Sequence, residues 1–250
     1  MPRSPRRFLV TALLAVAVSA LPSLALGSHS WGGYHWARTS NPFNLKVGDN
    51  VSGAWDTVLD TTIVDWTKST VLDLTKVAGG TRVKPCKATA GRVEVCNASY
   101  GNNGWLGLAQ IWISGGTHIA QGVTKVNDYY FNTAKYNTTA WRNLVMCQEV
   151  GHTLGLDHQD ENFDNANLGT CMDYTSDPSS NQHPNQHDYA ELVTIYTHLD
   201  STTTVGQIVN GSAASGWGQL VSSSASDRSS VYRLDLGNGQ FVLTHVIWAR

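Results

Sequence analysis

Gln148-Glu149-Val150-Gly151-His152-Thr153-Leu154-Gly155-Leu156-Asp157-His158 is the densest run of chemistry in the 250-residue chain. Upstream, Thr138 or Thr139 offers a good N-cap, and Trp141, Leu144 and Val145 recur at helical spacing, so the spacing predicts a helix that stops near Gly155. On that helix Gln148 and His152 lie one turn apart on one face, with Glu149 beside them. Gly155 can take a left-handed conformation and turn the chain back, so that His158 approaches His152. Two imidazoles and a carboxylate then converge on one point.

The run resembles the zinc-protease signature HExxHxxGxxH of the metzincin clan, with Gln148 where the first histidine of that signature stands. Fourteen residues after His158, Cys171-Met172-Asp173-Tyr174 resembles the clan's Met-turn, an apolar floor under the metal. The resemblance implies an α+β metzincin-like zinc-protease fold. Its parts would be a twisted mixed sheet, an active-site helix, a Met-turn and a closing helix, plus a C-terminal β-hairpin extension. It implies bound Zn2+ with Gln148, His152 and His158 as metal ligands, Glu149 as general base, Met172 in the Met-turn and Tyr174 as an oxyanion donor. It covers about residues 31–199, and the clan's order of elements runs through that stretch. An extended substrate would pair with an edge strand above the cleft, and Trp105–Ser114 is the strand expected there.

Glutamine is a weaker zinc donor than histidine, but it is neutral, so a metal held by one amide and two imidazoles keeps its power to acidify bound water. Its side-chain oxygen also reaches about as far from a helix as an imidazole nitrogen. Cys147 points away around the helix, whereas His183 and His187, or His29 and His35 near the mature terminus, are the histidines that could reach the site in space. Two functions follow: a zinc-dependent endopeptidase acting on peptide or protein substrates, or a catalytically inactive metzincin-like binding protein weakened by Gln148. Retention of Glu149, both histidines and the Met-turn favours the first.

Outward from this run, Trp55, Leu59, Ile63 and Trp66 mark a helix over 54–68. Residues 71–77, 92–98, 105–114 and 119–126 read as strands of one sheet, and Tyr189, Leu192, Val193 and Tyr196 as a closing helix. After Asp200 a Ser- and Gly-rich linker leads to two alternating runs around Gly237-Asn238-Gly239, which read as a hairpin. The domain reading is therefore a signal peptide over 1–27, a catalytic domain over 28–200 and a linker with a β extension over 201–250. Trp217 and Trp248 in that extension suggest a surface-attachment or carbohydrate-binding module.

Arg3, Arg6 and Arg7 followed by an apolar run from Phe8 to Leu26 have the form of a secretory signal, with cleavage expected before Ser28. In an oxidising compartment four cysteines read as disulfides, paired Cys86 with Cys96 across a turn and hence Cys147 with Cys171. The expected mature protein is secreted, extracellular and monomeric, without a membrane span. Its 14 Lys and Arg against 19 Asp and Glu exclude nucleic-acid binding through bulk positive charge. Asn97, Asn137 and Asn210 head glycosylation acceptor triplets, and Asp160, Glu161, Asp164 and Asn165 cluster acidic and amide groups near the site, though not at the spacing of an EF-hand calcium loop.

Overall fold

The computed structural model describes Met1, residues 28–207 and residues 216–250; the signal-peptide reading and the Asn210 acceptor lie outside the described residues. The fold is α+β, with one mixed sheet and a few helices. Strands β1 (His35–Trp36) and β2 (Phe43–Asn50) come first, then helix α1 (Trp55–Trp66) and strands β3 (Leu72–Ala78), β4 (Val93–Ala98), β5 (Trp105–Ser114) and β6 (His118–Asn127). A short helix α2 (Asp128–Phe131), the long helix α3 (Thr139–Thr153) and helix α4 (Gln186–Ile195) follow. The chain closes with β7 (Gln219–Ser223), β8 (Ser229–Gly237) and β9 (Gln240–Trp248).

The sheet runs β3-β2-β4-β6-β5-β9-β8-β7, with β1 also on β6. One half, β3 to β6, is parallel; from β5 to β7 every neighbour is antiparallel. Strand β5 is buried along nearly its whole length, as a strand covered on both faces should be. Helix α3 packs on β5 and β6, and α1 packs against α3. Trp36, Trp66, Leu59, Ile111 and Val150 are fully buried in the resulting core.

The helix and strand expectations for 54–68, 71–77, 92–98, 105–114 and 119–126 correspond to α1, β3, β4, β5 and β6 within one or two residues. The hairpin expected around Gly237–Gly239 is β8–β9. Strand β2 had no counterpart in the sequence reading. One expectation is corrected: Trp105–Ser114 is not an edge strand, because β6 pairs with one side of it and β9 with the other. Phe241, Leu243 and Ile247 of β9 belong to the main hydrophobic core, so the C-terminal strands are continuous with the rest of the sheet.

Both expected disulfides are present, with Cα–Cα separations of 6.1 Å for Cys86–Cys96 and 5.9 Å for Cys147–Cys171. Among the described residues no helix is long and apolar enough to cross a membrane.

Candidate metal centre

Helix α3 starts on the Thr138 side chain, which accepts from Trp141 N, and ends in a tight turn. Gly155 makes that turn at φ +98°, and a Cβ there would stand 2.1 Å from the Tyr34 carbonyl oxygen, so only glycine fits. The turn brings His158 back to His152, with ring centroids 4.5 Å apart. Nδ1 of His152 lies 2.9 Å from the Leu156 carbonyl and donates to it, which leaves the Nε2 lone pair free.

The floor is built from the Met172 segment. Gly151 is tightly overlaid: a Cβ would lie 2.6 Å from Met172 Sδ and 2.8 Å from the Trp66 ring. The Cys147–Cys171 bridge joins the residue before Gln148 to the residue before Met172, and so fixes helix and floor relative to each other. Gln148 adds a further tie, its Nε2 donating to the Cys171 carbonyl at 2.9 Å.

Sequence reasoning missed His245. It sits in β9 opposite Ala109 of β5, and its ring lies 4.2 Å from that of His152 and 4.8 Å from that of His158. One ring nitrogen from each of His152, His158 and His245 lies within 4.8 Å of the others, a trio that could hold a metal ion. The signal in the sequence is the alternation Phe241, Leu243, His245, Ile247: one imidazole on an otherwise apolar strand face. Nδ1 of His245 is 3.1 Å from Glu149 Oε2, and its Nε2 is 3.2 Å from the Tyr174 hydroxyl. Gly107 lets Glu149 come this close to β5, since a Cβ there would meet Glu149 Cγ at 3.2 Å.

Five side-chain atoms in this centre are buried without a hydrogen-bond partner among the described residues: Gln148 Oε1, Glu149 Oε1, His152 Nε2 and both ring nitrogens of His158. Buried polar atoms are rarely left unpaired, and a set made of lone pairs fits a cation. The donor set of three imidazoles suits Zn2+ or a similar borderline divalent ion.

Burial governs the electrostatics. It pushes the Glu149 carboxyl up to about 8, against the pull of His152. It holds His152 and His158 well below the usual imidazole range, helped by repulsion from His245, and lowers His245 to about 4. The Tyr174 phenol is driven well above its ordinary value, again by burial. Its ring stacks on Phe163 at 4.5 Å and lies 4.0 Å from that of His158.

The other histidines singled out in the sequence go elsewhere. His183 binds Asp65 through Nδ1 at 2.6 Å, and His187 packs on His29 with centroids 4.8 Å apart. His29 is held through Nδ1 by the Asp157 carbonyl at 2.8 Å, and His35 joins His198 and Asp200 in a separate cluster. Glu161 groups with Asp157 and His158 rather than with Asp164. Trp217 packs on Tyr232 and Trp248, at 5.3 and 5.9 Å between centroids.

No protein-family model matches the chain, and no curated protein matches it.

Proposed function

We propose that the chain is a secreted zinc-dependent endopeptidase in a self-closed form, with the metal held by His152, His158 and His245. The observation that carries this reading is the convergence of those three imidazoles beside a buried glutamic acid and a buried tyrosine. The resemblance of residues 148–158 and 171–174 to the metzincin signature and Met-turn supports the reaction class, and the two disulfides agree with export.

When bound, zinc would polarise the scissile carbonyl and acidify a water. Glu149 has one oxygen for each of two tasks: Oε2 orients His245 by accepting from Nδ1, and Oε1 is available to take a water proton and hand it to the leaving amine. Tyr174, 3.2 Å from His245 in the closed form, has a hydroxyl within reach of the same centre for an oxyanion. Gln148 Oε1, buried without a hydrogen-bond partner, is a further neutral oxygen on the same helix face as His152.

Closure comes from β9. It lies antiparallel along β5, as an extended peptide would, and carries His245 into the site. That pairing also favours a second reading, a metal-stabilised binding protein without turnover, because β5 has no free side to offer a substrate.

One experiment separates the two. The full chain, loaded with zinc, is assayed on a denatured protein with and without chelator, together with Glu149→Ala and the double variant Gln148→His/His245→Ala. The double variant moves the third imidazole from β9 to α3 and frees the site of the β9 side chain. Slow wild-type cleavage that needs both zinc and Glu149, and that rises in the double variant, supports the endopeptidase. Tight zinc binding with no Glu149-dependent cleavage in either protein supports the binding protein.

A further inference from the structure

A second histidine cluster lies where the chain leaves α4. His35 of β1 and His118 of β6 are register partners in parallel strands, so their side chains emerge side by side, with ring centroids 5.1 Å apart. His198 and Asp200, beyond α4, close over them. Nε2 of His35 is 3.1 Å from Nε2 of His198 and 3.6 Å from Asp200 Oδ1. Nε2 of His118 is 3.2 Å from the same Oδ1, and Nε2 of His198 is 3.6 Å from it.

We infer that His35, His198 and Asp200 form a second zinc site, with His118 bound to the carboxylate beside it. Ligand atoms about 2.0–2.1 Å from a tetrahedral zinc stand roughly 3.3 Å from one another. The three distances within the His35, His198 and Asp200 trio, 3.1 to 3.6 Å, bracket that spacing. Two imidazoles and one carboxylate are a zinc donor set that leaves the fourth position to water.

The supporting contacts have the form such a site needs. Nδ1 of His35 sits 2.8 Å from the Gly33 carbonyl and donates to it, which fixes the tautomer with a lone pair on Nε2. Arg38 Nη1 donates to Asp200 Oδ2 at 2.8 Å, and the Arg38 main-chain N–H donates to the same oxygen at 3.1 Å. The carboxylate is thereby held from one side with Oδ1 turned to the histidines. The Asp200 N–H in turn donates to the Arg38 carbonyl at 2.9 Å. His35 and Arg38 are buried, at 4% and 2% exposure, so the inner wall is rigid, while His198 and His118 face outward and leave an entry path.

Zinc here would act as a clasp. It would join the N-terminal strand to the segment that leads from α4 toward β7–β9. Without metal, the same atoms can form only a hydrogen-bond network in which His198 donates to His35.

The test uses the full mature chain, stripped with chelator and titrated with ZnCl2, and separately with CoCl2 for the absorption of tetrahedral cobalt. The variants are His198→Ala, which removes the exposed ligand, and His118→Ala, which removes a neighbour of the carboxylate; both leave the Asp200–Arg38 pair intact. His158→Ala serves as the variant of the other centre. In His198→Ala, bound zinc at saturating low-micromolar metal is expected to fall by one ion per chain relative to wild type, with loss of part of the cobalt spectrum, whereas His118→Ala should keep the ion. The affinity loss in His198→Ala should exceed the roughly 10–100-fold typical of outer contacts. His158→Ala should leave this ion bound whether or not the proposed peptidase reading holds. Equal zinc content and cobalt spectra in His198→Ala and wild type, with both folded by circular dichroism, would overturn the site.

Discussion

The two histidine clusters solve opposite electrostatic problems. The His152–His158–His245 centre is almost dry, and its one carboxyl, Glu149, is pushed by burial toward the protonated form. The His35–His118–His198 cluster lies half in solvent around Asp200, whose negative charge is matched by Arg38. In the first, the chain supplies lone pairs without charge; in the second, it brings its own anion and its own counter-cation. Removal of metal should therefore be costly in the first and mild in the second.

Acid should separate them most strongly. In metal-free protein the folded state keeps His152, His158 and His245 neutral, because burial disfavours the imidazolium, while the unfolded chain protonates them below 6.5. Each of these histidines then removes up to about 1.4 kcal/mol per pH unit as pH falls from 6.5 toward 4. Glu149 acts in the other direction. Folded, it holds its proton up to about 8, whereas the unfolded chain releases it above 4.5, so its contribution declines as pH rises through that window. Thermal melts in chelator should accordingly show greatest stability near pH 6.5. Glu149→Gln should remove the decline between 6.5 and 8, and His245→Leu should flatten the acid limb. A profile that is flat from pH 4 to 8 would break the contrast.

Zinc should reverse the difference. A ligand that binds only the native state stabilises by about 4 kcal/mol at a thousandfold over its Kd. Melts with and without zinc should therefore shift upward in wild type, and His158→Ala should lose most of that shift. The variant His198→Ala should keep the larger part, since the core centre is intact. Equal losses in the two variants would show that the clusters load as one unit.

Covalent support falls next in size. By loop-closure entropy the Cys147–Cys171 bridge contributes about 3.5 kcal/mol and the Cys86–Cys96 bridge about 2.7 kcal/mol. Cys147→Ser/Cys171→Ser should cost the larger amount in chemical denaturation and also weaken zinc binding at the core centre, because it frees the Met172 floor from α3. Cys86→Ser/Cys96→Ser should lower stability and leave zinc affinity unchanged. Similar zinc affinities in the two double variants would mean that packing of Met172 and Trp66 on Gly151 alone sets the floor.

Legibility in the sequence follows the range of the interactions. The helix, its glycine stop and the approach of His158 to His152 are all encoded within about 20 residues, so periodicity and one left-handed glycine suffice to read them. The disulfides were readable because a second pairing followed from the first. His245 was not found because its part in the site depends on β9 lying beside β5, a pairing between positions more than 130 residues apart. The hairpin itself was readable from Gly237-Asn238-Gly239, but nothing local says which strand it joins. Placing β5 at an edge was the same error seen from the other side. His35 and His198 were equally opaque, since their meeting needs β1, β6 and the end of α4 to come together.

The smallest effect tests whether the ends of α3 are independent. Thr138 caps the helix by accepting from Trp141 N at 3.2 Å, and Thr138→Ala should cost about 1 kcal/mol, or about 2–4 °C in Tm for a domain of this size. The cap stands at the opposite end of α3 from His152, and the helix between is anchored by Cys147–Cys171, by Trp66 Nε1 donating to the Cys147 carbonyl, and by its packing on β5 and β6. Fraying of the first turn should therefore stop short of the metal ligands. Zinc affinity measured by competition with a chromophoric chelator should match wild type, and the half-open cluster should bind as before. If affinity at the core centre instead falls tenfold or more, the ligands are positioned by the whole helix rather than by the bridge and glycine turn at its C-terminal half, and the rigidity assigned to that half is misplaced.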